Sequence, residues 1–105
     1  MNIKPFILCL AIISLASCAN VEPTRQSEGV TLVKPFNVKD CKKLGTTHVS
    51  IKQKAGIFAL DDKAATQDLV TLAKNRAGTM GGDSIVAKGP IEEGKMIFDI
   101  YKCGQ

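Results

Sequence analysis

Apolar and polar positions along the chain begin with one nearly unbroken apolar run. Between Phe6 and Ala16 only Ser14 interrupts it, and Lys4 is the one charged residue ahead of it. A comfortable membrane span takes about 20 apolar residues, so this run is short for one. Small residues follow at Ser17-Cys18-Ala19. A short basic region, a short apolar region and small residues in that order predict a signal peptide over 1–17. Asn20 to Gly29 is polar, holds Pro23 and has no apolar period, which predicts a linker. Residues 18–29 then form a tether ahead of a domain over 30–105. About ten flexible residues would span roughly 15 to 20 Å on average.

The pattern changes at Val30. Val30-Thr31-Leu32-Val33 is a short β-branched run that predicts a first strand, ended or confined to an edge by Pro35. In Leu44 to Lys52, Val49 and Ile51 alternate with His48, Ser50 and Lys52, the period of a half-buried strand. Gln53 to Leu60 reads as a loop with Ile57, Phe58 and Leu60 tucked in. Helical spacing takes over from Asp62 to Met80, where Ala65, Leu69, Leu72, Ala73, Arg76 and Met80 share a face widened by Ala77. Asp61 or Asp62 supplies an N-terminal cap, and Gly81-Gly82 a left-handed stop. Gly78 costs helicity and suggests close packing on a sheet. Ser84 to Lys88 predicts a short buried strand, and Glu92-Glu93 falls in a hairpin turn. A last strand follows over Met96 to Tyr101, with Met96, Phe98 and Ile100 on one face and Ile97, Asp99 and Tyr101 on the other. The expected fold is α+β: a β-β-α-β-β domain with one helix packed on a mostly antiparallel sheet.

Size and cysteine content sharpen this picture. Of 105 residues, about 88 remain behind the signal segment, a length at which a modest core often needs a staple. Aromatics make up 5% of the chain and there is no Trp, so the core rests mostly on aliphatic residues. Cys9 lies in the signal segment, and Leu15-Ala16-Ser17-Cys18 looks like a lipobox, in which a branched apolar residue and two small ones precede a cysteine that receives lipid. The competing reading is an ordinary signal peptide cut after Ala19. Cys41 and Cys103 remain, and an even pair in an exported domain argues for a disulfide. Closing a loop of about 63 residues removes roughly 4 kcal/mol of unfolded-chain entropy in one disputed model. Such a bond would set the last strand antiparallel beside the Leu44–Lys52 strand. Metal binding would need more ligands than the lone His48 adds, and a redox pair normally reads Cys-x-x-Cys.

Charge adds less. The net charge of +4 and pI of about 9.0 are mild. Lys34, Lys39, Lys42, Lys43, Lys52 and Lys54 crowd one region, opposed there only by Asp40. They read either as a basic face toward lipopolysaccharide, anionic lipid or an acidic partner, or, the favoured alternative, as a solvated surface. Nucleic-acid binders carry denser basic clusters interleaved with aromatics, so no nucleic-acid partner is expected. Asn75, Arg76 and Asp83 flank the helix end and could shape a small polar pocket; capping and turn roles are the simpler account. His48 reads as an exposed strand residue, and Asp61 and Asp62 as caps rather than paired acids. With no phosphate loop, Ser-His-Asp set or metal motif, no enzyme, cofactor or metal is expected.

Asp40-Cys41-Lys42-Lys43-Leu44-Gly45-Thr46, Asn75-Arg76-Ala77-Gly78-Thr79-Met80-Gly81-Gly82-Asp83 and Ile100-Tyr101-Lys102-Cys103 together resemble the YjeI-like lipoproteins of unknown function. More distantly, the layout is similar to the RcsF stress-sensor lipoproteins, which are held by more than one disulfide. The resemblance implies an α/β lipoprotein with a disulfide over Asp40 to Cys103. It supplies no activity. The expected protein is an envelope lipoprotein, lipid-anchored at Cys18 to the outer membrane and facing the periplasm. Its domain is expected to be a non-catalytic binding or sensing module for an envelope protein or an anionic lipid or glycan. A structural accessory of the outer membrane or cell wall is the alternative, and an envelope hydrolase a more distant one.

Overall fold

A computed structural model describes residues 21–52 and 61–104. The signal segment, Cys18, Lys54, and Ile57, Phe58 and Leu60 lie outside the described residues. Four strands and one helix follow in the order β1 (Thr31–Leu32), β2 (Lys42–Ser50), α1 (Asp62–Thr79), β3 (Ser84–Ala87) and β4 (Lys95–Lys102). Across the sheet the order is β1-β3-β4-β2. β4 runs antiparallel to both β2 and β3, while β1 runs parallel to β3. The architecture is the expected helix on a mostly antiparallel sheet.

The helix forms where its signals lie. Asp61 is the N-cap, its carboxylate accepting the Ala64 amide at 2.7 Å. At the other end Gly81 adopts φ +82°, open to glycine at no steric cost. The Gly82 amide reaches back to the Ala77 carbonyl at 2.8 Å and the Gly81 amide to Gly78 at 3.2 Å, which satisfies carbonyls the helix would otherwise leave open. Ala65, Leu69, Ala73 and Ala77 are buried. Leu69, Ala73 and Ala77 join Val30, Val49, Ile85, Met96, Phe98 and Ile100 in one core, with Leu72 packed against it and Met80 44% exposed beyond it. Small side chains along the helix let it approach the sheet closely, and Gly82 lies against Ile100: a Cβ there would stand 2.6 Å from its Cγ2.

Alternation in β4 follows expectation on the core side, where Met96, Phe98 and Ile100 are buried. The hairpin to β3 turns on Glu93 and Gly94, at φ 50° and 74°, closed by reciprocal bonds between Glu92 and Lys95. That is the left-handed two-residue turn matched to strand twist. β1 and β2 occupy opposite edges, so the segment between them must cross the sheet. Buried Val38 on this segment and Val86 on β3 stand outside the main core cluster. By strand alternation Val86 points away from the helix, beside Asp99.

Two features differ from the sequence reading. Residues 22–29 are folded: Arg25–Gly29 is a short 3-10 helix docked on α1, with Ser27 buried. The segment carries no apolar period because it is held by backbone and amide bonds rather than by apolar side chains. Gly78 is where it docks; a Cβ would lie 2.6 Å from the Gln26 carbonyl oxygen. Gly78 therefore admits the N-terminal segment, not the sheet, and α1 is covered on two sides. The strand boundaries also move, β2 starting at Lys42 and β3 ending at Ala87.

Candidate functional site

Cys41 and Cys103 form a disulfide, with Cα atoms 4.4 Å apart. The pairing of Lys42 with Lys102 at the adjoining ends of β2 and β4 brings them there. Asp83 and the Lys42–Lys102 pair lie beside this bond, while Asn75, Arg76 and Lys43 engage other parts of the chain. They do not form one pocket. Asp83 accepts the backbone amides of Cys103 at 2.9 Å and Gly104 at 2.8 Å, and the Ser84 hydroxyl at 3.0 Å. Partial burial pushes its pKa up, but those three donors and the Lys102 charge outweigh it, and the carboxyl sits below its ordinary value. Asp83 thus ties the chain end to the start of β3.

Asn75 faces the N-terminal segment instead. Its side-chain carbonyl accepts the Thr24 amide at 2.9 Å, and its amide donates to the Glu22 carbonyl at 3.0 Å. Arg76 crosses to β2, donating to the Thr47 hydroxyl at 3.2 Å. The three polar residues thus fasten three different segments, and the Asn75 and Arg76 side chains make tertiary bonds rather than caps or turns. Lys42 is exposed on β2, opposite Lys102. By the bulge between Lys43 and Gly45, this pair falls on the helix side of the sheet and Lys43 on the far side.

Lys43 belongs to a cluster that sequence reading missed. Asp99 is 8% exposed on the sheet face away from the helix. Its carboxylate accepts the Thr46 hydroxyl at 2.8 Å and faces the Lys43 ammonium at 3.4 Å and the Lys88 ammonium at 3.8 Å. Burial pushes its pKa up; the Thr46 hydroxyl and the two lysines more than offset this, so it too lies below the ordinary value. The signal was present in the sequence, an acid between Phe98 and Ile100 on a buried strand. Its partners are 11 to 56 positions away, out of reach of local pattern. A carboxylate held ionised by three partners is a poor proton donor. It fixes register between strands.

His48 is exposed on the same outer face, opposite Ile97, which is 39% exposed. Lys34 and Lys39 are exposed at either side of the Pro35–Val38 turn, whose Phe36 is 69% exposed. Lys52 is exposed just beyond β2. The basic residues are therefore spread over the crossing segment, both faces of the sheet and the end of β2. Among the described residues no three His, Cys, Asp or Glu side chains are placed to share a metal ion. No helix among them is long and apolar enough to cross a membrane.

A family model described as a domain of unknown function (DUF4156) matches residues 21–103. The chain belongs to this family. The match takes in the docked N-terminal segment and ends at Cys103, the second half of the disulfide. DUF4156 thus coincides with the stapled unit seen here. No curated protein and no solved structure matches the chain.

Proposed function

We propose that this chain is an envelope lipoprotein whose disulfide-stapled domain is a non-catalytic binding module held close to a membrane. The observation that carries the reading is Leu15-Ala16-Ser17-Cys18 behind a short basic and apolar segment. The Cys41–Cys103 disulfide supports it independently, because such bonds persist in oxidising compartments outside the cytosol. The resemblance to YjeI-like lipoproteins at Asp40–Thr46, Asn75–Asp83 and Ile100–Cys103 points the same way. Polar groups that the fold gathers, Asp83, Asn75, Arg76 and Asp99, are engaged by their own chain. This supports binding through surface rather than chemistry in a cleft. Ala19 after the modified cysteine, rather than an acid, favours the outer membrane under the enterobacterial sorting rule.

The test is metabolic labelling of the full chain and of Cys18→Ser with an alkyne fatty acid in a bacterial host, followed by fractionation. The full chain should carry label and sediment with membranes, and Cys18→Ser should lose both. An unlabelled, freely soluble full chain would overturn the reading.

A further inference from the structure

We infer that the helix C-terminal end of the domain, built from Met80, Lys42 and Lys102, is the face that lies against an anionic lipid surface. The inference rests on lipidation at Cys18 and follows from where the folded part begins. Asn75 fastens Glu22 and Thr24, and Gly78 receives Gln26. Only four residue steps separate Cys18 from Glu22, and they reach about 14 Å at full extension. A tether that short does more than keep the domain near a membrane. It limits which side can face it.

Glu22 leaves the domain beside Asn75, five residues before Met80, and at helical rise this is about 8 Å from the helix end. The end of α1 therefore comes within reach of the lipid surface. The hairpin at Glu93-Gly94 and the outer sheet face carrying Ile97 lie on the far end and far side. At the near end Met80 is 44% exposed and lies over Gly45, whose added Cβ would meet Met80 Cε at 3.1 Å. One pair further along the same sheet face, Lys42 stands directly opposite Lys102. Like charges set opposite each other across strands disfavour the sheet. Asp83 offsets one of them, through its attraction to Lys102. An anionic surface turns the remaining cost into attraction, and each lysine near such a surface strengthens binding about fivefold. Met80, one pair along from the two lysines, is a flexible apolar side chain suited to the headgroup boundary.

The chain has no tryptophan, so a single introduced Trp reports its own depth. Lipidated full-length Met80→Trp, Thr79→Trp as a second reporter at that end, and Ile97→Trp as the far-side control would be reconstituted in vesicles. The vesicles would be pure phosphatidylcholine, or phosphatidylcholine with phosphatidylglycerol, each doped with brominated lipid. Trp at 80 and at 79 should be quenched at least twofold more than Trp at 97 in the anionic vesicles. The difference should shrink when Lys42→Glu and Lys102→Glu are added, and at high salt. Equal or stronger quenching at 97, or no dependence on the two lysines, overturns the assignment. Flotation with the vesicles is scored separately: a chain that floats with the wrong face down refutes only this inference, and one that does not float refutes the anchoring as well.

Discussion

Replacing Gly78 by Ala sets two effects of opposite sign against each other. In an exposed helix interior, alanine would stabilise by about 1 kcal/mol over glycine. Here the new Cβ would stand 2.6 Å from the Gln26 carbonyl oxygen and 2.7 Å from its carbonyl carbon. Both are backbone atoms, so no side chain can swing aside. Relief requires moving the 3-10 helix, and that strains or breaks the two bonds through which Asn75 holds Glu22 and Thr24. Overpacking of this kind costs about 1 to 3 kcal/mol, and each lost hydrogen bond about 0.5 to 1.5 kcal/mol. The sum exceeds the helical gain, so Gly78→Ala should lose about 1 kcal/mol or more in urea unfolding. Trypsin offers a local readout at Arg25, inside the docked turn. Cleavage after Arg25 should be faster in Gly78→Ala than in the parent, and faster again with Asn75→Ala. Gly29→Ala, where an added Cβ meets nothing within 4 Å, is the control. A Gly78→Ala protein that gains about 1 kcal/mol while Arg25 stays protected would refute the docking of the N-terminal segment.

Other perturbations address the remaining supports. Cys41→Ser with Cys103→Ser opens a bond spanning 62 positions; the expected loss is about 4 kcal/mol, read as a lower urea midpoint, and the parent in reductant should match it. A loss under about 1 kcal/mol would mean the bond adds little beyond what the fold supplies. Asp83 and Asp99 both have pKa values below the ordinary 3.8. In acid the unfolded carboxyls therefore take up protons first, so the stability these groups give is complete above about pH 4 and is lost as pH falls through the depressed folded values. Asp83→Asn with Asp99→Asn should flatten the acid limb of a stability–pH profile, and an unchanged limb would remove both groups from that role. Gly82→Ala should destabilise by about 1 to 3 kcal/mol, because its Cβ would fall 2.6 Å from Ile100 Cγ2 and 3.2 Å from the Tyr101 carbonyl oxygen; a thermal melt matching the parent would contradict the close approach.

Local pattern carried much of this protein. The helix from its Asp61 cap to its Gly81-Gly82 stop, the buried face of Met96, Phe98 and Ile100, and the pairing of Cys41 with Cys103 could all be read from spacing, capping chemistry and cysteine parity. Each depends on residues near in sequence or on a count of two, and side-chain period is fixed by backbone geometry before any tertiary contact forms. What only the tertiary structure decided involves partners far apart in the chain. The Asp99 carboxylate draws Thr46, Lys43 and Lys88 from two other strands or their ends, and nothing local to Asp99 announces them. Gly78 reads as a weak point in a helix until Gln26 is found resting on it. The polar stretch over 22–29 has no apolar stripe because its docking is made by amides, a glycine and a buried serine, which no hydrophobic pattern records. Sequence alone thus gave the tether about ten flexible residues; folding leaves four steps between Cys18 and the domain, because backbone groups that satisfy one another across α1 take up the rest.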